Sequence, residues 1–135
     1  MLPKQPKKSI PPIYNAATIV TSLFLPIPEM QSNSANKFFD GLAAGKPIAI
    51  NYGGWQAELL EQEKFGIVLD HHDVAASAQN LVSLLANSKE LHEMGNRARN
   101  LAVARFSRDI LAKQLISVLE RSYQDEILLK RKTTS

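Results

Sequence analysis

Hydrophobic positions along the chain follow two rhythms. Three short apolar runs have no helical period: TIVTSLFL (18–25), PIAI (47–50) and FGIVLD (65–70). Runs of this length, rich in β-branched residues and bounded by Pro or Gly, predict buried strands. The stretches between and after them repeat their apolar residues every three or four positions, as a one-sided helix does. Phe38, Phe39, Leu42 and Ala43 predict a helix over 35–44, and WQAELLEQEK a second over 55–64. Three more helices follow. Asp73 is expected to cap one that buries Val74, Ala78, Leu81 and Leu85. Ser88 would cap another, with Leu91, Met94, Ala98 and Leu101 inward, and Ser107 a last one, with Leu111, Leu115 and Val118 inward.

Turn chemistry sharpens the stretch NSANKFFDGLAAGKPIAINYGGW. Asn33 or Ser34 offers a side-chain oxygen to the first helical amides. Gly45 can take the left-handed conformation that closes a helix, and Pro47 prevents its continuation. Gly53-Gly54 turns the chain out of the PIAI strand. Strands alternating with helices predict parallel β-α-β connections. The expected fold is therefore α/β: the second half of a Rossmann-like doubly wound parallel sheet of about three strands, with additional C-terminal helices. Residues 1–12, with four prolines and three lysines, read as an irregular arm. PIYNAA (12–17) reads as one helical turn. The partial domain is expected over 13–129 and a frayed tail over 130–135.

Composition excludes more than it assigns. The chain has no cysteine, which removes disulfides and Cys-based zinc or redox chemistry. The net charge of +3 is mild, and its basic residues gather at the ends, in Lys4, Lys7 and Lys8 and in Lys130, Arg131 and Lys132. Without interleaved aromatics such runs do not predict nucleic-acid binding. They read as solvated tails that allow peripheral contact with an anionic membrane. No apolar run approaches the ~20 residues of a membrane span. The expected location is cytoplasmic, with peripheral contact at the inner membrane as an option.

Ligands of open α/β sheets sit beyond the carboxyl ends of the strands. The loop from Ser32 to Lys37 is expected there. Its first-turn amides and helix dipole suit a phosphate, Lys37 adds a cation, and the Asp40 carboxylate could accept two ribose hydroxyls. The same residues also read as an ordinary helix cap and a surface Lys37–Asp40 pair. His71 and His72 are adjacent in a loop, so their rings are expected to diverge rather than chelate. His92 stands alone on a helix, and no metal site is expected.

NKFFDGLAAGKPIAINYGGWQAELLEQEKFGIVLD, with MGNRAR and RFSRD downstream, resembles the C-terminal donor-binding domain of GT-B glycosyltransferases of the GT4 type. The likeness is to the branch that builds bacterial capsule, O-antigen or colanic-acid-type polysaccharides. It implies a retaining transfer from a UDP- or GDP-sugar, without cofactor or metal. It also implies a donor site of Ser32, Asn33, Ser34, Ala35, Asn36, Lys37, Asp40, Gly53 and Gly54. Asp40 would hold the ribose. Ser32 stands where the family carries a second carboxylate, with Glu29 nearby as a substitute. Backbone amides near Asn36 and Lys37 would meet the pyrophosphate, and Gly53 and Gly54 would let the next loop approach the donor. Trp55 and Glu58 would fix the following helix. The catalytic residues on the acceptor side are not assigned. An N-terminal acceptor domain, or a partner chain covering the exposed strand edge, is the implied companion, and the isolated chain is expected to be inactive. The alternative is a non-catalytic α/β module that docks a partner through an open strand edge.

Overall fold

The structure is a computed structural model that describes Pro3 and residues 5–133, the stretch 126–133 by backbone alone. Lys4, part of the basic N-terminal run, lies outside the described residues, as do Thr134 and Ser135 of the expected frayed tail. The chain divides into two compact units, Met1–Val103 and Ala104–Ser135.

The first unit is built on three parallel strands, β1 (Val20–Ser22), β2 (Ile48–Ile50) and β3 (Gly66–Val68), in the order β1-β2-β3. Val20 lies opposite Ile48, and Ile48 opposite Gly66. β2 is central and buried along its length, as its unbroken Ile-Ala-Ile requires. Each strand is shorter than its apolar run. Beyond Ser22 the ladder is continued by a side chain: Asn51 Nδ2 donates to the Phe24 carbonyl and the Phe24 amide donates to Asn51 Oδ1, both at 2.9 Å. A side-chain amide carries the same donor and acceptor as a peptide group, so it can stand in for the next rung.

The N-terminal segment is more ordered than its prolines suggest. A 3₁₀ turn (Lys7–Ser9) leads into α1 (Ile10–Ala16), with proline in its first turn. The N–H that proline lacks would have no intrahelical partner there, so it opens a helix without penalty.

α2 (Asn36–Ala43) buries Phe38, Gly41 and Leu42. Ala43, expected on that face, is exposed. Its C-terminus is closed as the sequence predicts. Gly45 has φ +65°, its amide donates to the Leu42 carbonyl, and the Lys46 amide reaches back to the Gly41 carbonyl. Gly45→Val should cost roughly 1–3 kcal/mol, because a β-branched residue resists positive φ. A thermal melt reads this, and an unchanged Tm would refute the role given to Gly45.

α3 (Trp55–Glu63), α4 (Val74–Leu85) and α5 (Ser88–Arg105) follow. Asp73 caps α4 as expected, accepting from the Ala76 amide at 2.9 Å. α5 departs from expectation at its entrance: Asn87, not Ser88, offers its side chain, to the Glu90 amide. Ala98 and Leu101 are buried as predicted. On α4, however, Val74 is 70% exposed and Leu85 42%, and Leu84 is the buried residue. The core gathers between α2, β2 and the start of β3, where Phe38, Leu42, Ile48, Ile50 and Phe65 are fully enclosed.

The second unit is dominated by α6 (Arg108–Thr133), which begins directly after Ser107. Leu111, Leu115 and Val118, expected inward, are exposed. Ile116, Leu119 and Tyr123 widen their stripe, and within its own unit the helix has no second long element to bury it against. Lys130, Arg131 and Lys132 fall on its last turns, where only the backbone is described. Among the described residues, no helix is long and apolar enough to cross a membrane.

Candidate ligand-binding site at the strand ends

Two neighbouring regions carry the residues singled out from the sequence. The first is the mouth of α2. A 3₁₀ turn (Pro28–Ser32) precedes it, and the chain reaches the helix through Asn33, Ser34 and Ala35. The residue at the N-cap is Ala35, not Asn33 or Ser34, and no side chain caps the helix. The Phe38 amide folds back onto the Ala35 carbonyl at 3.0 Å. Asn36 and Lys37 are exposed in that first turn, and Ser32 and Ser34 are exposed beside it. A helix start without a side-chain cap presents its leading amides outward, with the positive end of the dipole behind them.

The following loop is tied to this mouth. Gly54 has φ +84°, and a Cβ built on it would lie 2.0 Å from the Gln31 carbonyl oxygen, so the turn packs directly on the 3₁₀ segment. Gly53 faces open space. The Trp55 indole Nε1 donates to the Asn33 carbonyl at 3.2 Å, and its ring stacks on Phe39 at 6.0 Å. Trp55 thus anchors both α3 and the entrance loop. Glu58 is exposed in the first turn of α3.

Asp40 lies one helical turn further along, ~6 Å at 1.5 Å per residue. It is exposed and opens into a recess of about 210 Å³ shared with Ile10, Tyr14 and Asn15 of α1. Burial pushes the Tyr14 phenol above its usual range, and the nearby Asp40 charge adds to that. The structure therefore gives Asp40 a neighbour in α1 that the sequence did not suggest.

The second region is a crevice of about 350 Å³ lined by the residue that follows each strand: Leu23 after β1, Asn51 after β2 and Leu69 after β3. Its walls are largely apolar, with Asp70, His71 and Ser77 supplying polar atoms. This is where the topology of parallel sheets places ligands. The His71 and His72 rings do not diverge as expected: their centroids stand 3.9 Å apart. Asp70 is held beside them by two contacts, its carboxylate accepting from the His72 amide at 2.8 Å and its carbonyl from the Ser77 hydroxyl at 2.9 Å. The tight turn between two acids, Asp70 and Asp73, folds the two rings back onto one side.

Below the rim, Tyr52 donates its hydroxyl to Gln56 Oε1 at 2.8 Å, with Ser22 Oγ at 3.4 Å, all three side chains buried. Burial raises the Tyr52 phenol above its usual range, and the hydrogen bond with Ser22 opposes that. Gln56 Nε2 has no hydrogen-bond partner among the described residues. Tyr52→Phe should therefore destabilise the protein by roughly 1–3 kcal/mol, because it strands the Gln56 carbonyl as well. The double variant Tyr52→Phe/Gln56→Leu should recover most of that loss. Urea unfolding of both variants measures the difference, and equal losses would show that the pair is not coupled.

No family model matches the chain. It is 27% identical over 116 residues to Spore coat protein SA of Bacillus subtilis (strain 168), a match covering 85% of this chain and 30% of the relative. The chain thus spans less than a third of the length of the curated relative it matches. No solved structure matches. These findings correct the family resemblance drawn from the NKFFDGLAAGKP block: what is found is a distant likeness to a coat protein, without support from a glycosyltransferase family, and membership of that family is set aside.

The expected site residues thus fall into separate neighbourhoods. Ser32 to Lys37, Gly54 and Trp55 cluster at the mouth of α2, while Asp40 faces α1. A crevice beyond the strand ends was expected, but its lining residues Leu23, Asn51 and Leu69 were not. Its signal lay in Asn51 and Asp70, polar residues one and two positions beyond the ends of β2 and β3.

Proposed function

We propose that this chain is the nucleotide-sugar donor-binding portion of an enzyme that transfers a sugar in cell-surface polysaccharide synthesis. Nucleotide binding is the part of this reading that is argued from site geometry. The observation that carries it is the uncapped first turn of α2, in which Asn36 and Lys37 are exposed, preceded by the exposed Ser32 and Ser34 and by a 3₁₀ turn on which Gly54 packs. Such a group suits a pyrophosphate. The Asp40 recess, ~6 Å along the same helix, suits a ribose diol, and no resident cofactor is needed by this scheme. The three parallel strands in sequential order support one wing of a Rossmann-like doubly wound sheet. In this reading the acceptor-binding residues belong to a further domain or to a partner chain. The protein works in the cytoplasm, at the inner face of the membrane.

Titration of the ¹⁵N-labelled chain with UDP and GDP tests the proposal. The amides of Asn36 and Lys37 should shift in a saturable way, at millimolar ligand. Asp40→Ala should weaken the nucleotide by roughly 1.5–3 kcal/mol, the range for a hydrogen bond to a charged group, and leave inorganic pyrophosphate unaffected. Shifts that miss the first turn of α2 would overturn the reading.

A second reading has its own observations behind it. β1 and β3 each have one side without a strand partner, and Leu23, Leu25 and Ile27 beyond β1 are 52%, 74% and 44% exposed. An open edge flanked by apolar side chains suits strand addition by a partner, and the likeness to a coat protein points the same way. In that case nucleotides would bind nowhere on the chain.

A further inference from the structure

The crevice beyond the strand ends carries one feature that donor binding does not use. Asp70, His71 and His72 each offer one ligand atom, and these atoms all lie within 4.8 Å of one another. Three features make this more than a chance meeting of exposed side chains. The loop is fixed on both sides, by the Ser77 hydroxyl on the Asp70 carbonyl and by Asp73 as the cap of α4. The Asp70 carboxylate is oriented by the His72 amide, a contact that uses one of its several acceptor sites and leaves others available. The two imidazoles, 3.9 Å apart between centroids, stand side by side at the end of β3, with His71 lining the crevice.

We propose that Asp70, His71 and His72 form a binding site for a divalent transition-metal ion, with Zn²⁺, Co²⁺ or Ni²⁺ as the class it takes. Two imidazole nitrogens and a carboxylate oxygen suit these ions and not Mg²⁺ or Ca²⁺, which prefer oxygen alone. Ligand atoms around a tetrahedral ion stand roughly 3.3 Å apart, given metal–nitrogen bonds of about 2.0–2.1 Å. Closing from the observed spread needs only small side-chain rotations, and both residues are exposed. Three protein ligands leave a position open for water or an anionic group. Asp70 and His71 themselves line the crevice, together with Leu23, Asn51 and Leu69. A metal there would give the apolar crevice a fixed cationic end, and with it a preference for ligands carrying a carboxylate or phosphate.

Titration of the full chain with Co²⁺, followed by visible absorption and by competition with Zn²⁺, tests the site. One equivalent should bind saturably, with d–d bands of the intensity that four- or five-coordinate Co²⁺ gives. His71→Ala/His72→Ala should weaken binding at least tenfold, and Asp70→Asn should weaken it several-fold. Far-UV circular dichroism should show both variants folded like the parent, since the imidazoles are exposed and support no core contact. Mg²⁺ should not compete. Absence of saturation, or unchanged Co²⁺ affinity in the double-histidine variant, would overturn the proposal, the latter by placing the ion elsewhere, as on His92. The outcome is independent of UDP or GDP binding at the mouth of α2.

Discussion

Phe38→Ala is expected to lose roughly 3–5 kcal/mol of stability, the range for deleting a fully buried phenylalanine. Phe38 has no exposed surface, and its ring meets Phe39, Phe65 and Trp55 edge-on, with centroids 5.6, 5.7 and 6.2 Å away. Alanine would remove the lost transfer free energy and leave a void that three other rings line. They cannot all collapse into it, because Phe65 is fixed by the entry to β3 and Trp55 by its bond to the Asn33 carbonyl. Small domains hold about 5–15 kcal/mol in total, so the variant should sit near the edge of folding. Chemical denaturation measures this. A loss below 1 kcal/mol would mean that Phe38 is not the centre of the core. Phe38→Leu, which fills more of the space, should lose less.

Gly54→Ala should act on both stability and ligand binding. At φ +84° an L-residue is strained by about 1–3 kcal/mol, and the Gln31 carbonyl occupies the place of the new Cβ. Gln31 belongs to backbone that cannot rotate aside, so the whole 3₁₀ turn must move away from α3. That movement would pull Asn33 from the Trp55 indole and displace the residues leading to the first turn of α2. The expected result is a lower Tm together with loss of the UDP-induced shifts at Asn36 and Lys37. Gly53→Ala is the control for stability: its Cβ meets nothing within 4 Å, so its Tm should stay near the parent value. Equal effects from the two substitutions would show that Gln31 does not constrain the turn.

These cases show which parts of the molecule the sequence makes legible. The helix stop at Gly45 could be read because a left-handed residue followed by proline has few other uses, and the structure gives it φ +65°. The three strands could be read from unbroken apolar runs, but not their ends, because Asn51 replaces the next rung of β1 with a side chain twenty-seven residues away. Local patterns carry no record of such a contact. The caps erred by one residue at α5, where Asn87 and Ser88 are both good candidates and only backbone dihedrals choose between them. At α2 two polar residues precede the helix, yet Ala35 takes the cap because its neighbours turn outward. On α4 and α6 less of the apolar stripe is buried than its period predicts, for one reason. Periodicity shows that a helix has an apolar stripe, not that anything covers it. The Asp70–His72 cluster was missed through the opposite error, since adjacent residues in an extended segment do point apart, and the Asx-type turn at Asp70 reverses that.

The Asn51 clamp on Phe24 makes the tips of the first two strands depend on the chemistry of one side-chain amide. A primary amide is hydrolysable, and aspartate has the same outline but no hydrogen to give. Conversion at this one position would set a carboxylate against the Phe24 carbonyl, turning attraction into repulsion and prising apart the first two strands at their tips. An aged population of the protein would then carry a splayed crevice while its helices, and its far-ultraviolet spectrum, stayed intact.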